Sequence, residues 1–245
     1  MEDMLDIRYK GCVCTVIQKE IAYKGKAYFI LKEVRPESCR EMIEYAAEHL
    51  TAMGAEKIYF TCSDKKAVFS EEILRTENLE FRYDGDMDYL EKEISPKDGL
   101  CEWEDLLFEG LSRANGRQFL CTYNDCFFEV PNSATYTDPD LDRLIEDPIH
   151  SRAGVIMQGN QVIGIYEISF ENEIPEIASI GLIKDKRGRR LGWKALHTLI
   201  GFLSDSGYRR VGLMVSTRNP NAYRLYLQTG FCKIKTLSRW YLQTR

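Results

Sequence analysis

Two stretches of the chain share one hydrophobic pattern, an amphipathic helix followed by a glycine and a short apolar strand. Apolar residues recur in each helix at spacings of three and four, which is typical of a helix with one buried face. Gly54 and Gly207 follow the helices, where a left-handed residue commonly ends a helix. The apolar helix positions, which coincide at an offset of 153 residues, are Met42, Ile43, Ala46, Ala47 and Leu50, and Ala195, Leu196, Leu199, Ile200 and Leu203. The pattern predicts the same supersecondary unit twice and leaves common descent of the halves open.

The first half is predicted to be a β-β-α-β unit. Strands are expected at residues 12–18 and 27–34, with a hairpin turn near residues 23–26, and a further strand at 57–62 follows the helix. A helix at 70–75 and a strand at 79–83 end at Asp84-Gly85-Asp86, a sequence typical of turns. We therefore predict a first domain at residues 1–85 and a second at 86–245.

The second half is predicted to follow the order β-α-α-β-β-β-α-β-α-β. It opens with a strand at 89–94 and a helix that contains Trp103, Leu106, Leu107 and Leu111. The polar residues 122–140 are expected to form a functional loop, because long irregular connections in compact domains commonly carry function. Of the five strands that follow, the first four are predicted at 152–157, 162–169, 177–183 and 210–215.

A phosphate-binding turn is predicted after the strand at 177–183. The turn Arg187-Gly188-Arg189-Arg190-Leu191-Gly192 combines cationic side chains with small residues and opens a helix. Unpaired backbone amides and the positive end of the helix dipole favour anionic oxygens at such a place.

Composition narrows the class of protein. A 245-residue chain with 44% hydrophobic residues can bury a full core, and its net charge of −5 argues against general nucleic-acid binding. Neither a basic leader nor an apolar run of membrane-spanning length is present in the sequence, so a cytoplasmic protein without membrane association is expected. The eight cysteines and three histidines have no metal-ligand spacing, and we expect reduced thiols and no metal.

Two motifs resemble those of the GNAT superfamily of acyl-CoA-dependent N-acetyltransferases. The turn is similar to the family's Arg/Gln-x-x-Gly-x-Gly/Ala loop at Arg187 and Gly192, with Arg190 in place of the middle glycine. Residues 219–231 resemble the motif Asn-x-x-Ala-x-x-Leu-Tyr-x-x-x-Gly-Phe at every named position. The resemblance covers residues 86–245 and implies a GNAT fold of the α/β (α+β) class, with a mixed, mostly antiparallel sheet and helices on both faces. The first half resembles a smaller, degenerate GNAT-like unit.

The resemblance also implies the site. Backbone amides of the turn would hold the pyrophosphate of CoA, and the strand near Leu182 would pair with the pantetheine arm. Tyr226 is the predicted general acid for the leaving thiolate, with a core aromatic as the alternative. Glu176 is the predicted base for the amine, with an exposed surface acid as the alternative. Asn219 would bond CoA, cap the next helix, or do both. The predicted cofactor-binding residues are Ile180, Leu182, Ile183, Arg187, Gly188, Arg189, Arg190, Leu191, Gly192, Trp193 and Asn219.

The leading functional hypothesis is transfer of an acetyl group from acetyl-CoA to a primary amine of a small molecule or peptide, by direct attack in a ternary complex. A non-catalytic acyl-CoA sensor or interaction module is the alternative, because a fold alone does not establish a function. A third possibility treats the arginine-rich turn as an RNA contact, which the net acidity disfavours. The first half is expected to wall the acceptor cleft or to mediate a homodimer.

Overall fold

The computed structural model describes residues 4–63, 75–76, 78–99, 103 and 105–245. They divide into two compact units. Unit 1 comprises Met1–Met87 and Thr236–Arg245, and unit 2 comprises Asp88–Lys235. The predicted second domain, by comparison, includes the last ten residues and begins at residue 86.

Both units contain strands and helices. The strands in the described residues are β1 (Met4–Tyr9), β2 (Cys12–Ile17), β3 (Lys26–Glu33), β4 (Lys57–Cys62), β5 (Phe81–Glu93), β6 (Leu107–Gly110), β7 (Ser151–Gln158), β8 (Gln161–Ser169), β9 (Glu176–Leu182), β10 (Arg210–Ser216) and β11 (Cys232–Gln243). The α-helices there are α1 (Lys19–Lys24), α2 (Cys39–Ala52), α3 (Gly116–Phe127), α4 (Asp138–Glu146), α5 (Leu191–Asp205) and α6 (Pro220–Gln228). Short 3-10 helices lie at Pro36–Ser38, Pro96–Asp98 and Lys184–Lys186. No helix in the described part of the chain is long and apolar enough to cross a membrane.

Unit 1 orders its strands as β1-β2-β3-β4, followed by the C-terminal part of β11. Strands β2 and β3 are antiparallel, and β3 and β4 are parallel. All five predicted core residues of α2 are buried, and Gly54 after the helix has a φ of +91°. The predicted β-β-α-β order is therefore confirmed. Strand β1 and helix α1 are additions to it, and α1 stands where the hairpin turn was expected.

Unit 2 contains a mixed sheet in the order β5-β10-β9-β8-β7-β6. Strands β6, β7, β8 and β9 pair antiparallel in succession, and β10 is parallel to β9. Neighbouring residues of one strand, such as Ile163 and Val162, belong to different core clusters, because successive side chains point to opposite faces. One cluster packs against α5 and α6 and the other against α3 and α4, so the predicted mixed sheet with helices on both faces is confirmed.

Three predicted segments were wrong. Residues 84–86 do not form a turn but lie inside the long strand β5, where Gly85 is buried and Asp86 pairs with Arg239 at 3.2 Å. The predicted helix around residues 103–111 contains strand β6, because pairing with β7 satisfies the backbone of residues 107–110 at the sheet edge. The expected loop at 122–140 begins inside α3 and ends inside α4. The predicted helix at 70–75 falls mainly outside the described residues.

Candidate functional site

The parallel strands β9 and β10 separate after a single register pair. Glu176 is paired with Gly212, and the Gly212 amide donates to the Pro175 carbonyl at 2.9 Å. Over the rest of β9, no described strand pairs with the side that faces β10. The strands therefore leave a gap that opens toward the C-terminal end of β9.

Backbone groups of β9 point into this gap. The amide of Ile183, just after β9, donates to the Ile163 carbonyl in β8 at 2.9 Å. The alternation of an antiparallel ladder therefore turns the amides of Leu182 and Ile180 away from β8. Consistent with this orientation, the Leu182 carbonyl accepts a hydrogen bond from Arg187 Nε at 2.8 Å. A strand-like ligand in the gap could use the amides that face it.

The turn between β9 and α5 presents a row of free donors. Among the described residues, the backbone amides of residues 188–193 have no hydrogen-bond acceptor. Arg190 stands at the N-cap of α5 with a φ of +62°, a left-handed conformation that glycine adopts at less cost. Arg189 and Arg190 are exposed and have no acidic partner in the described part of the chain. The turn can therefore bind an anion with both backbone and side-chain donors.

Arg187 has a different role from its two neighbours. Its guanidinium donates to the carbonyls of Leu182 and Cys126, at 2.8 Å and 3.1 Å. These bonds tie the turn to the end of β9 and to α3. Trp193 contacts His197 with ring centroids 4.0 Å apart, so the indole packs along α5 and the Trp193 amide remains the group available to the turn.

A cavity of about 490 Å³ adjoins the open end of the gap. Residues from the end of α3 and the segment after it form one wall, and Ile183, Arg187, Arg218 and Asn219 lie across from them. The Asn219 side chain also accepts from the Ala222 amide at 3.4 Å and so caps α6. Asn219 therefore caps the helix and lines the cavity at the same time.

Tyr226 lies on α6, on the sheet face covered by α5. It is 9% exposed and packs against Phe231, with ring centroids 5.9 Å apart. Burial raises the pKa of the phenol to about 12, so the group is protonated at neutral pH. Its hydroxyl has no hydrogen-bond partner among the described residues. The structure thus gives Tyr226 the burial of a core residue together with a free hydroxyl.

Glu176 lies at the closed end of the gap, where β9 and β10 still pair. The carboxylate accepts from Asn172 at 3.2 Å, and partial burial is the main cause that raises the carboxyl pKa. Six residue steps separate Glu176 from Leu182, about 20 Å along a strand. Glu176 and the turn before α5 therefore lie at opposite ends of one gap.

A buried polar cluster beneath α3 and α4 was missed from the sequence. Tyr136 donates to Glu167 at 2.9 Å and stacks on Tyr123, with ring centroids 3.7 Å apart. Glu167 is 7% exposed, and burial raises its carboxyl pKa. Its position as the one charged residue in the apolar strand β8 was the signal that could have identified it. Tyr89, which lies against Gly212, was also missed, because it comes from a strand distant in sequence.

Comparisons with known proteins agree with this fold. Residues 117–231 match the model of the acetyltransferase (GNAT) family. A conserved protein of Staphylococcus epidermidis has a TM-score of 0.64 at 15% identity, covering 99% of this chain and 94% of that one. A GCN5-related N-acetyltransferase from Sphaerobacter thermophilus has a TM-score of 0.63 at 16% identity, covering 95% and 75%. At identities this low, the two structural similarities show a shared fold alone. No curated protein matches the chain.

Proposed function

We propose that this protein, whose residues 117–231 match the model of the acetyltransferase (GNAT) family, transfers an acetyl group from acetyl-CoA to a primary amine. The observation that carries the proposal is the gap between β9 and β10, with a turn of backbone amides, unpaired in the described part of the chain, at its open end and a carboxylate at its closed end. A thioester with an anionic tail fits that order of groups. The protein is proposed to work in the cytoplasm.

The residues of the gap fit two parts of CoA, the pyrophosphate and the pantetheine arm. The free amides of residues 188–193, with Arg189 and Arg190, would hold the pyrophosphate. The inward-facing backbone of Ile180 and Leu182 would pair with the amides of the pantetheine arm. The cavity lined by Arg218 and Asn219 offers room beside that arm.

Glu176 would act as the general base and Tyr226 as the general acid. Glu176 takes a proton from the ammonium, and the neutral amine forms a bond to the thioester carbonyl carbon. A β9 amide stabilises the resulting oxyanion. When the carbon–sulfur bond breaks, Tyr226 gives its proton to the thiolate, and the phenolate recovers a proton from the new amide nitrogen.

A screen of amines with acetyl-CoA tests this function. Thiol release that depends on a particular amine, with the acetylated amine detected by mass spectrometry, is the expected result. Calorimetry with CoA alone is run beside it. Binding without turnover for any amine would favour the non-catalytic acyl-CoA sensor, an alternative that the left-handed arginine in the turn supports. No heat of binding would contradict both functions.

A further inference from the structure

Tyr89 of β5 lies against β10 at the point where β9 and β10 separate. Its ring lies directly on Gly212, such that a Cβ added to the glycine would be 2.8 Å from Cζ and 2.9 Å from Cε2, closer than side chains tolerate. Gly212 therefore makes room for the phenol. The hydroxyl also contacts the same Cβ position.

This contact puts the Tyr89 hydroxyl beside Glu176. Gly212 and Glu176 are register partners in the parallel pair, and paired strands lie about 4.8 Å apart. Side chains of partner residues project from the same face of a sheet. A hydroxyl that occupies the Cβ position of Gly212 is therefore the immediate neighbour of the Glu176 side chain.

The charges around the pair suit a cation. Burial, followed by the charges of Glu176 and Glu91, raises the pKa of the Tyr89 phenol, so the hydroxyl is neutral beside an anionic carboxylate. Arg210, the nearby cation of β10, pairs with Glu91 at 3.6 Å. Lys235 lies with Nζ 5.4 Å from the Tyr89 ring centroid, and Glu171 and Asn172 also face Glu176. The ring already accepts one ammonium at its face.

We propose that Tyr89 contacts the acceptor amine and that its hydroxyl and the Glu176 carboxylate together form a two-oxygen site for a primary ammonium. This inference rests on the proposed function and specifies the acceptor side of the same site. After Glu176 has taken one proton from the ammonium, the Tyr89 oxygen accepts a hydrogen bond from an N–H of the neutral amine and holds the amine in place. Met214, two residues along β10 and 53% exposed, adds an apolar surface, so the site fits an amine on an aliphatic carbon.

The first test needs no turnover. The full-length protein, with its tyrosine ring carbons labelled, is titrated with hexylammonium chloride and separately with hexan-1-ol, and the Tyr89 signal is assigned from its loss in Tyr89→Phe. A shift of that signal with hexylammonium, absent with the alcohol and lost in Glu176→Gln, is expected. Equal shifts with both probes, or none, would overturn the ammonium site. This readout decides the inference even if the amine screen finds no acceptor.

The second test uses an acceptor from that screen. Loss of one neutral hydrogen bond predicts a three- to tenfold rise in KM for the amine in Tyr89→Phe, with KM for acetyl-CoA unchanged. Gly212→Ala, whose added Cβ displaces the Tyr89 ring, is expected to raise the KM for the amine in the same way and to leave the KM for acetyl-CoA unchanged. Tyr83→Phe, the same change in the same strand at a residue 55% exposed, is the matched control. An unchanged amine KM in Tyr89→Phe would refute the contact.

Discussion

The segments β3-α2-β4 and β9-α5-β10 have the same local architecture and differ in how their parallel strands pair. Strands β3 and β4 pair continuously from Lys26 with Lys57 to Leu31 with Cys62. Strands β9 and β10 pair once, at Glu176 and Gly212. In the closed pair, β3 and β4, the facing backbone amides and carbonyls bond to each other. In the open pair, β9 and β10, most of these groups remain available to a ligand. The same fold element is thus a structural unit in one place and a candidate binding site in the other.

The entries to the two helices differ in the same sense. Each parallel pair has a 3-10 helix after its first strand, Pro36–Ser38 in unit 1 and Lys184–Lys186 in unit 2. Ser38 stands at the N-cap position of α2 with a φ of −116°, while Arg190 stands at the N-cap position of α5 with a φ of +62°. The left-handed residue costs about 1–2 kcal/mol, which the first entry avoids. Strain of this kind is concentrated at functional sites, and here it occurs at the entry beside the open pair.

The largest predicted effect concerns Tyr226 on α6, the helix that follows β10 of the open pair. Tyr226→Phe removes the only proton donor assigned to the leaving thiolate, so kcat should fall roughly 10³-fold with unchanged CoA affinity. Tyr223→Phe is the matched control on the same helix, since its hydroxyl already donates to Asp88 at 2.9 Å. Steady-state kinetics and CoA calorimetry measure both variants. Wild-type turnover in Tyr226→Phe would remove the acid role.

A matched pair of core variants compares the two helices directly. Leu50 and Leu203 hold equivalent positions and are both fully buried, so Leu50→Ala and Leu203→Ala should each lower the free energy of unfolding by about 2–5 kcal/mol. Urea denaturation measures that loss. Below the unfolding transition, Leu50→Ala should keep the wild-type KM for acetyl-CoA, whereas Leu203→Ala, on the helix that begins at the turn, should raise it. Equal effects of the two variants on the KM for acetyl-CoA would contradict the proposal that β9-α5-β10 binds CoA and β3-α2-β4 is only structural.

The pH dependence of the reaction tests the closed end of the gap. Burial raises the pKa of Glu176, and only the ionised carboxylate can accept a proton, so kcat/KM should fall as pH drops through a value above the usual 4.3 or so. Glu176→Gln should lose this acid limb and about 10²-fold in rate. Glu173→Gln, an exposed acid three residues earlier, serves as control and should keep the wild-type profile. A limb that survives in Glu176→Gln would assign the base elsewhere.

Prediction from sequence succeeded where local pattern and tertiary packing agree. The apolar faces of α2 and α5 and the turn before α5 depend on residues close in sequence, and they were correctly located. The path of β5 through Asp84-Gly85-Asp86 and the strand at 107–110 were missed, because pairing with distant strands overrides their local turn and helix preferences. The contact of Tyr89 with Gly212 also depends on such long-range pairing.

The smallest predicted effect concerns the arginine at the entry to α5. Arg190→Gly relieves the left-handed strain but adds freedom to the unfolded chain, so the free energy of unfolding should rise by no more than about 1 kcal/mol. CoA affinity should fall about fivefold and depend less on salt, because one cation near the phosphates is lost. Arg189→Gly is the control: it removes the same charge at a residue without a positive φ, so it should weaken CoA binding without stabilising the fold. Tighter CoA binding in Arg190→Gly would instead mean that the arginine obstructs the turn, and that the open pair is adapted to something other than holding CoA firmly.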